Sequence, residues 1–135
     1  MTLAHLTLAT RDVQRTAAFL EQTLGYPRDP YPGNIPSEAA WLSLGRGQQI
    51  HLILVEDFAA SPFENEFGRH VAVFYPLARF AELKEKLRQL GAEIFEPMRF
   101  TPFERFFFRD PVNGYVFEVI DQARAGLIET DTAPA

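Results

Sequence analysis

The chain has 135 residues, of which 47% are hydrophobic and 23% charged, with a formal charge of −5 at pH 7. This length and balance suit one globular domain with its own core, and acidic charge spread along the chain argues against a nucleic-acid surface, which would carry a clustered basic stripe. There is no cysteine, so any metal must be held by imidazole and carboxylate rather than thiolate. No apolar run approaches the roughly 20 residues needed to span a bilayer, and the first twelve residues lack a secretory cleavage pattern. The expectation is a cytoplasmic protein with neither a membrane nor a nucleic acid as partner.

Residues 3–9 alternate, with Leu6 and Leu8 on one side and His5 and Thr7 on the other, which predicts a half-buried strand. Asp12 is a helix cap, and Val13, Phe19, Leu20 and Leu24 give residues 13–24 an apolar face that ends at Gly25. Residues 26–37 hold Pro27, Pro30, Pro32, Gly33 and Pro36 and are expected to form a loop. Strands follow over 40–44 and 49–55, joined by a turn at Gly45, Arg46 and Gly47. Residues 57–68 are polar and broken and read as a linker.

The pattern then begins again. Residues 70–75 form a strand with Val71 and Val73 on one face, followed by a helix with Phe80, Leu83, Leu87 and Leu90 in phase, closed by Gly91. Strands are expected over 92–97, 105–109 and 115–120, with residues 110–114 turning between the last two. Residues 122–135 read as a lightly packed tail.

His5 and His70 open the two copies, 65 residues apart, and the helix-stopping glycines come 20 and 21 residues after them. Each copy is too small to bury both faces of its own sheet, so the two are expected to pair into a curved sheet with helices outside. His51 lies in the closing strand of the first copy, 46 residues after His5, and Glu118 in that of the second, 48 after His70. All four sit opposite apolar neighbours (Leu6 and Leu8, Ile50 and Leu52, Val71 and Val73, Phe117 and Val119), which leaves them together on the face away from the helices. A divalent ion of borderline character suits such a set. An unpaired carboxylate in such an interior costs several kcal/mol, about that of a lone buried charge, which a cation removes. His5, His51, His70 and Glu118 are therefore the expected ligands of one divalent metal per site (Fe, Mn, Zn, Ni or Co). Glu118 and His51 are the candidate catalytic groups. Trp41, Phe103, Arg105 and Phe107 are candidates for contacts with a small-molecule substrate, Arg105 as a carboxylate clamp or else as one half of a surface ion pair.

The duplicated unit, His5 at its start, HVAVF at 70–74 and RDPVNGYVFEVI at 109–120 together resemble the vicinal oxygen chelate superfamily. That superfamily embraces glyoxalases, methylmalonyl-CoA epimerases, extradiol dioxygenases, fosfomycin-resistance transferases and bleomycin-binding proteins. The resemblance covers about residues 3–121. Asp110, Pro111, Asn113, Gly114 and Glu118 match its turn-then-glutamate pattern, and His5, His70 and Glu118 match its first, third and fourth ligand slots. It implies an α+β fold of paired βαβββ modules, about 3–56 and 69–121, in a single domain over 1–121 with a cup-shaped mixed sheet. It also implies a metal that chelates two adjacent substrate oxygens, with lyase, isomerase or ring-cleaving dioxygenase chemistry. The alternative is a metal-free binding protein of the bleomycin-resistance type. In similar glyoxalases the second slot is a carboxylate, and here it is His51, an additional ligand or an acid/base; Glu38 is the candidate for a separate carboxylate base. A homodimer is expected, since relatives face the first module of one chain with the second of its partner.

Overall fold

A computed structural model describes residues 3–126. It divides into two units, Met1–Ala59 and Ala60–Ala135. The architecture is α+β, with one four-stranded mixed sheet in each unit.

The first unit runs β1 (His5–Thr10), α1 (Val13–Thr23), β2 (Arg28–Asp29), β3 (Ala39–Gly45) and β4 (Gln48–Leu54). Its sheet has the order β1-β4-β3-β2, with β1 parallel to β4 and the other pairs antiparallel. Asp12 caps α1 through a 3.0 Å bond from the Arg15 N–H to its Oδ1, satisfying one of the free donors of the first turn. Gly25, at φ 78°, ends the helix in a conformation that other residues resist. Val13, Ala17 and Leu20 are buried at helical spacing, and α1 packs on β3 and β4, where Leu42, Ile50 and Leu52 are fully buried. The proline-rich stretch expected to be all loop contains β2, a two-residue edge strand against Trp41 and Leu42. Its brevity carried no periodic signal.

The second unit runs β5 (Val71–Tyr75), a 3₁₀ turn, α2 (Phe80–Gln89), β6 (Glu93–Phe95), β7 (Arg105–Arg109) and β8 (Val116–Asp121), then a 3₁₀ turn over Gln122–Gly126. The rest of the expected tail, 127–135, lies outside the described residues. The sheet order β5-β8-β7-β6 repeats that of the first unit, again with the first and last strands parallel. Phe106, Phe108, Phe117 and Val119 are fully buried, and the Phe80 ring of α2 stands edge-on to Phe106 at 5.2 Å. Asp110 pins the turn before β8 by accepting N–H bonds from Val112, Asn113 and Tyr115. Burial pushes its carboxyl above the ordinary aspartate value, against the pull of those donors.

Residues 57–68, expected to be a linker, are in large part built into this unit. Glu64, deeply buried, accepts bonds from Arg69 Nη1 on both carboxylate oxygens and a 2.8 Å bond from the Val116 N–H. Gly68 packs so closely on the Phe63 carbonyl oxygen that no Cβ fits there. A short polar stretch hid this, because burial of a carboxylate is decided by its partners and not by its own polarity.

The registers show that the duplication extends to single residues. His51 faces Thr7 across β1 and Trp41 across β3, while Glu118 faces Ala72 across β5 and Phe107 across β7. His5 stands two residues before Thr7 and His70 two before Ala72. Within each unit the pair therefore lies on the sheet face opposite the helix, because side chains two apart along a strand share a face.

Candidate metal centre

In the second unit, His70 and Glu118 meet: Nε2 lies 3.2 Å from Oε1. The other ring nitrogen, Nδ1, is 3.1 Å from the Asn65 carbonyl oxygen. A carbonyl only accepts, so Nδ1 carries the proton, and in a neutral ring Nε2 then presents a lone pair. Two acceptors, that lone pair and a carboxylate oxygen, thus face the same point. Either a proton or a cation must join them, and an imidazole nitrogen beside a carboxylate oxygen is a donor pair that would suit a divalent metal ion. Histidine ligands are commonly oriented in this way, with the outer N–H given to a backbone carbonyl.

The second oxygen of Glu118 is already taken. Arg105 Nη1 donates to Oε2 at 2.9 Å, and Arg105 Nη2 donates to Glu66 Oε2 at 3.3 Å and to the Arg99 carbonyl at 2.6 Å. Its Nε donates to Thr101 Oγ1 at 3.2 Å, and the guanidinium lies over Phe107 at 5.5 Å. The Arg105 side chain is 2% exposed. It is neither a surface ion pair nor a free clamp for substrate, because its donors are committed within the unit. Glu66 binds the N–H groups of Met98 and Arg99 as well. Burial would push its carboxyl up, but those two N–H groups and Arg105 outweigh burial and hold it below the ordinary glutamate value. Phe107 is fully buried, stacked on Phe95 and edge-on to His70, so it shapes the wall behind the pair and offers no open surface. Phe103 is half-buried beneath the Arg124 guanidinium at 4.9 Å.

In the first unit, His51 is sandwiched between His5, at 3.9 Å and 14°, and Trp41, at 3.6 Å and 9°. Its Nε2 lies 2.8 Å from Gln49 Oε1, and Gln49 Nε2 donates to Asp29 Oδ2 at 2.9 Å. The Asp29 carboxylate fixes which end of the amide points where, so Gln49 offers its oxygen and His51 Nε2 carries the proton. The lone pair of neutral His51 is then on Nδ1. Burial, and secondarily the nearby His5, lower the His51 pKa and favour the neutral ring. Parallel stacked rings send their lone pairs out in separate planes, so in this arrangement His5 and His51 do not converge on one ion. Trp41 Nε1 is buried without a hydrogen-bond partner. Glu38 is exposed and accepts a long 3.4 Å bond from Gln14. Among the described residues, no group of three or more His, Asp or Glu side chains is gathered to hold a metal; each unit carries a pair.

The profile of the Glyoxalase/Bleomycin resistance protein/Dioxygenase superfamily matches residues 2–119. The chain belongs to this superfamily. Solved members of similar fold include the fosfomycin resistance protein FosX from Mesorhizobium loti, at 18% identity and TM-score 0.72, over 94% of this chain and 96% of that one. FosX from Listeria monocytogenes, a mutant complexed with Mn(II) and dihydroxypropylphosphonic acid, matches at 21% and 0.71, over 89% and 91%. A glyoxalase family protein from Bacillus anthracis matches at 22% and 0.70, over 90% and 94%. At these identities the likeness is one of fold. No curated protein matches the chain in sequence. Among the described residues no helix is long and apolar enough to cross a membrane.

For a superfamily chain read by its ligand pattern, the residues left unremarked were Glu66, Asn65, Gln49 and Asp29. Gln49 was accessible to sequence reasoning, since it shares a strand face with His51 at a spacing of two. Glu66 and Asn65 act from an irregular segment and Asp29 from a two-residue strand, where spacing carries no facing information.

Proposed function

We propose that the chain is a metal-dependent enzyme of its superfamily, acting on a small substrate with two adjacent oxygens. His5, His70 and Glu118 are the proposed ligands of one divalent ion, and His51 joins them only by turning out of its stack. When bound, the ion would act as a Lewis acid on the substrate's oxygen pair. His51, neutral and anchored by Gln49 at Nε2, would accept a proton at its Nδ1 lone pair and give it back. The observation that carries the reading is the His70 Nε2 and Glu118 Oε1 pair at 3.2 Å, two acceptors each anchored from behind. The Mn(II) and the vicinal diol in the Listeria relative agree with it and make manganese the first metal to try.

The test is metal analysis of the purified protein after manganese loading, with His70→Ala, Glu118→Ala and His51→Ala beside it. Roughly one ion per chain is expected in the wild type, with strong loss in the first two variants and a smaller loss in the third. Stoichiometric metal in both His70→Ala and Glu118→Ala would end the assignment, and a metal-free wild type would favour a sequestration protein. An activity panel covering thiol adducts of α-ketoacids, epimerisation and catechol cleavage then identifies the reaction class.

The proposed assembly is a homodimer, with His5 supplied by one chain or by its partner. Co-expression of a His5→Ala/His51→Ala double variant with a His70→Ala/Glu118→Ala double variant separates the two. Regained metal means ligands shared between chains, since one pairing unites the unmutated halves; none regained means each site draws on a single chain.

A further inference from the structure

We propose that Arg105 is a positioning residue that keeps Glu118 a one-oxygen ligand and thereby sets which cation the site prefers. The inference rests on the metal reading above and adds to it a control on ion selectivity. A carboxylate can grip an ion with one oxygen or with both. Gripping with both suits large, flexible, oxygen-rich coordination of the calcium kind, whereas imidazole with single carboxylate oxygens suits manganese, iron or zinc. Here Oε2 is held by Arg105 Nη1 at 2.9 Å while Oε1 faces His70. The guanidinium cannot drift, because Glu66, the Arg99 carbonyl and Thr101 fix it on its other sides and Phe107 lies beneath it. Its planar fork matters as much as its charge, since a lysine ammonium would supply the charge without holding Glu118 and Glu66 at set angles.

The charges point the same way. Arg105 stands between two buried carboxylates, Glu66 and Glu118. One positive charge against two negative ones leaves a deficit on the Glu118 side, where His70 waits. Glu66 takes part of the guanidinium and is itself quenched by the N–H groups of Met98 and Arg99. Glu118 thus keeps one oxygen neutralised and one available.

The experiment is calorimetric titration of the full chain with Mn²⁺ and, separately, Ca²⁺, for the wild type, Arg105→Gln, Arg105→Lys and Glu66→Gln. Circular dichroism checks that each variant is folded. The wild type should prefer manganese. Arg105→Gln frees Oε2, so manganese affinity should fall about 10–100-fold, the usual cost of losing a residue behind a ligand. Calcium affinity should fall much less or rise, so that the manganese-to-calcium ratio drops at least about tenfold. Arg105→Lys should lie between, with a ratio lowered at least about threefold, and it carries the test if Arg105→Gln does not fold. Glu66→Gln leaves the bond to Glu118 in place and should keep the ratio within about threefold of wild type. An unchanged ratio in folded Arg105 variants, or equal loss of both cations, overturns the proposal, since a merely structural arginine would weaken both alike. A wild type that binds no manganese overturns the metal reading itself, an outcome visible before any variant is compared.

Discussion

Replacing Glu118 by Gln should cost little without metal and much with it, and the difference follows from the His70 contact. In the metal-free protein with a neutral His70 ring, Nε2 and Glu118 Oε1 oppose each other as acceptors at 3.2 Å. The amide introduced by Glu118→Gln can turn its N–H toward Nε2 and its oxygen toward Arg105, replacing the opposition by a hydrogen bond of about 1 kcal/mol. The bond to Arg105 loses its charge assistance, a cost of similar size, about 1 kcal/mol. Meanwhile Arg105 is left with Glu66 as its one carboxylate partner, and the excess buried negative charge disappears. The metal-free variant should therefore unfold within about 1 kcal/mol of the wild type. With manganese at roughly 100 times the wild-type Kd, binding stabilises the wild type by about 2.7 kcal/mol, and a variant weakened about a hundredfold gains about 0.4 kcal/mol. At about 4 °C per kcal/mol for a chain of this size, the two melting temperatures should part by roughly 9 °C. Thermal unfolding followed by circular dichroism reads both numbers, once with chelator and once with manganese. A chelated Glu118→Gln destabilised by more than about 2 kcal/mol, or an equal manganese shift in the two proteins, would refute the facing-acceptor reasoning.

Gly68→Ala should be among the more damaging small substitutions, costing about 2 kcal/mol or more by denaturant titration, because its Cβ would meet the Phe63 carbonyl oxygen. A loss below about 0.5 kcal/mol would mean that the 63–68 turn yields easily. Glu66 is held below the ordinary glutamate pKa of 4.5. Its stabilisation is thus present above that value and is lost as pH falls through the folded-state pKa. The wild type should accordingly lose more stability than Glu66→Gln as pH falls from about 5 to about 3, and parallel melting curves would contradict the hydrogen-bond account. Trp41→Phe gives up no hydrogen bond, since Nε1 has none, while keeping a ring on His51. Its melting temperature should match or exceed that of the wild type, and a loss above about 1 kcal/mol would reveal a partner for the indole.

The strands and helices were legible because their signals are periodic. Leu6 and Leu8 against His5 and Thr7, or Phe80, Leu83 and Leu87 in phase, state which side is inward without reference to any partner. The same parity put each histidine or carboxylate on the face opposite the helix, in keeping with the registers. The surroundings of those side chains were not legible. Arg105 read as a surface or substrate-facing cation because nothing along the strand announces that Glu66, 39 residues away, is buried beside it. His51 read as one more ligand because spacing does not record that Gln49 takes its Nε2 or that two aromatic rings enclose it. Pairing is a property of the folded chain, and irregular segments such as residues 57–68 have no period from which to infer it.

Glu64 and Glu66 also decide where this chain can be cut and rejoined. By its repeated pattern the second half starts at His70, and a recombination experiment guided by that pattern would splice there. Such a joint would leave behind the carboxylate that receives the Val116 N–H and the one that receives Arg105, while retaining both donors deep in the new half. A crossover at Ala59/Ala60, the boundary between the two units, carries each acceptor along with its donor. Hybrids of two such proteins, or a half duplicated to mimic an ancestral repeat, should tolerate the joint at 59/60 and fail at 69/70, although the second is where the symmetry of the sequence would put it.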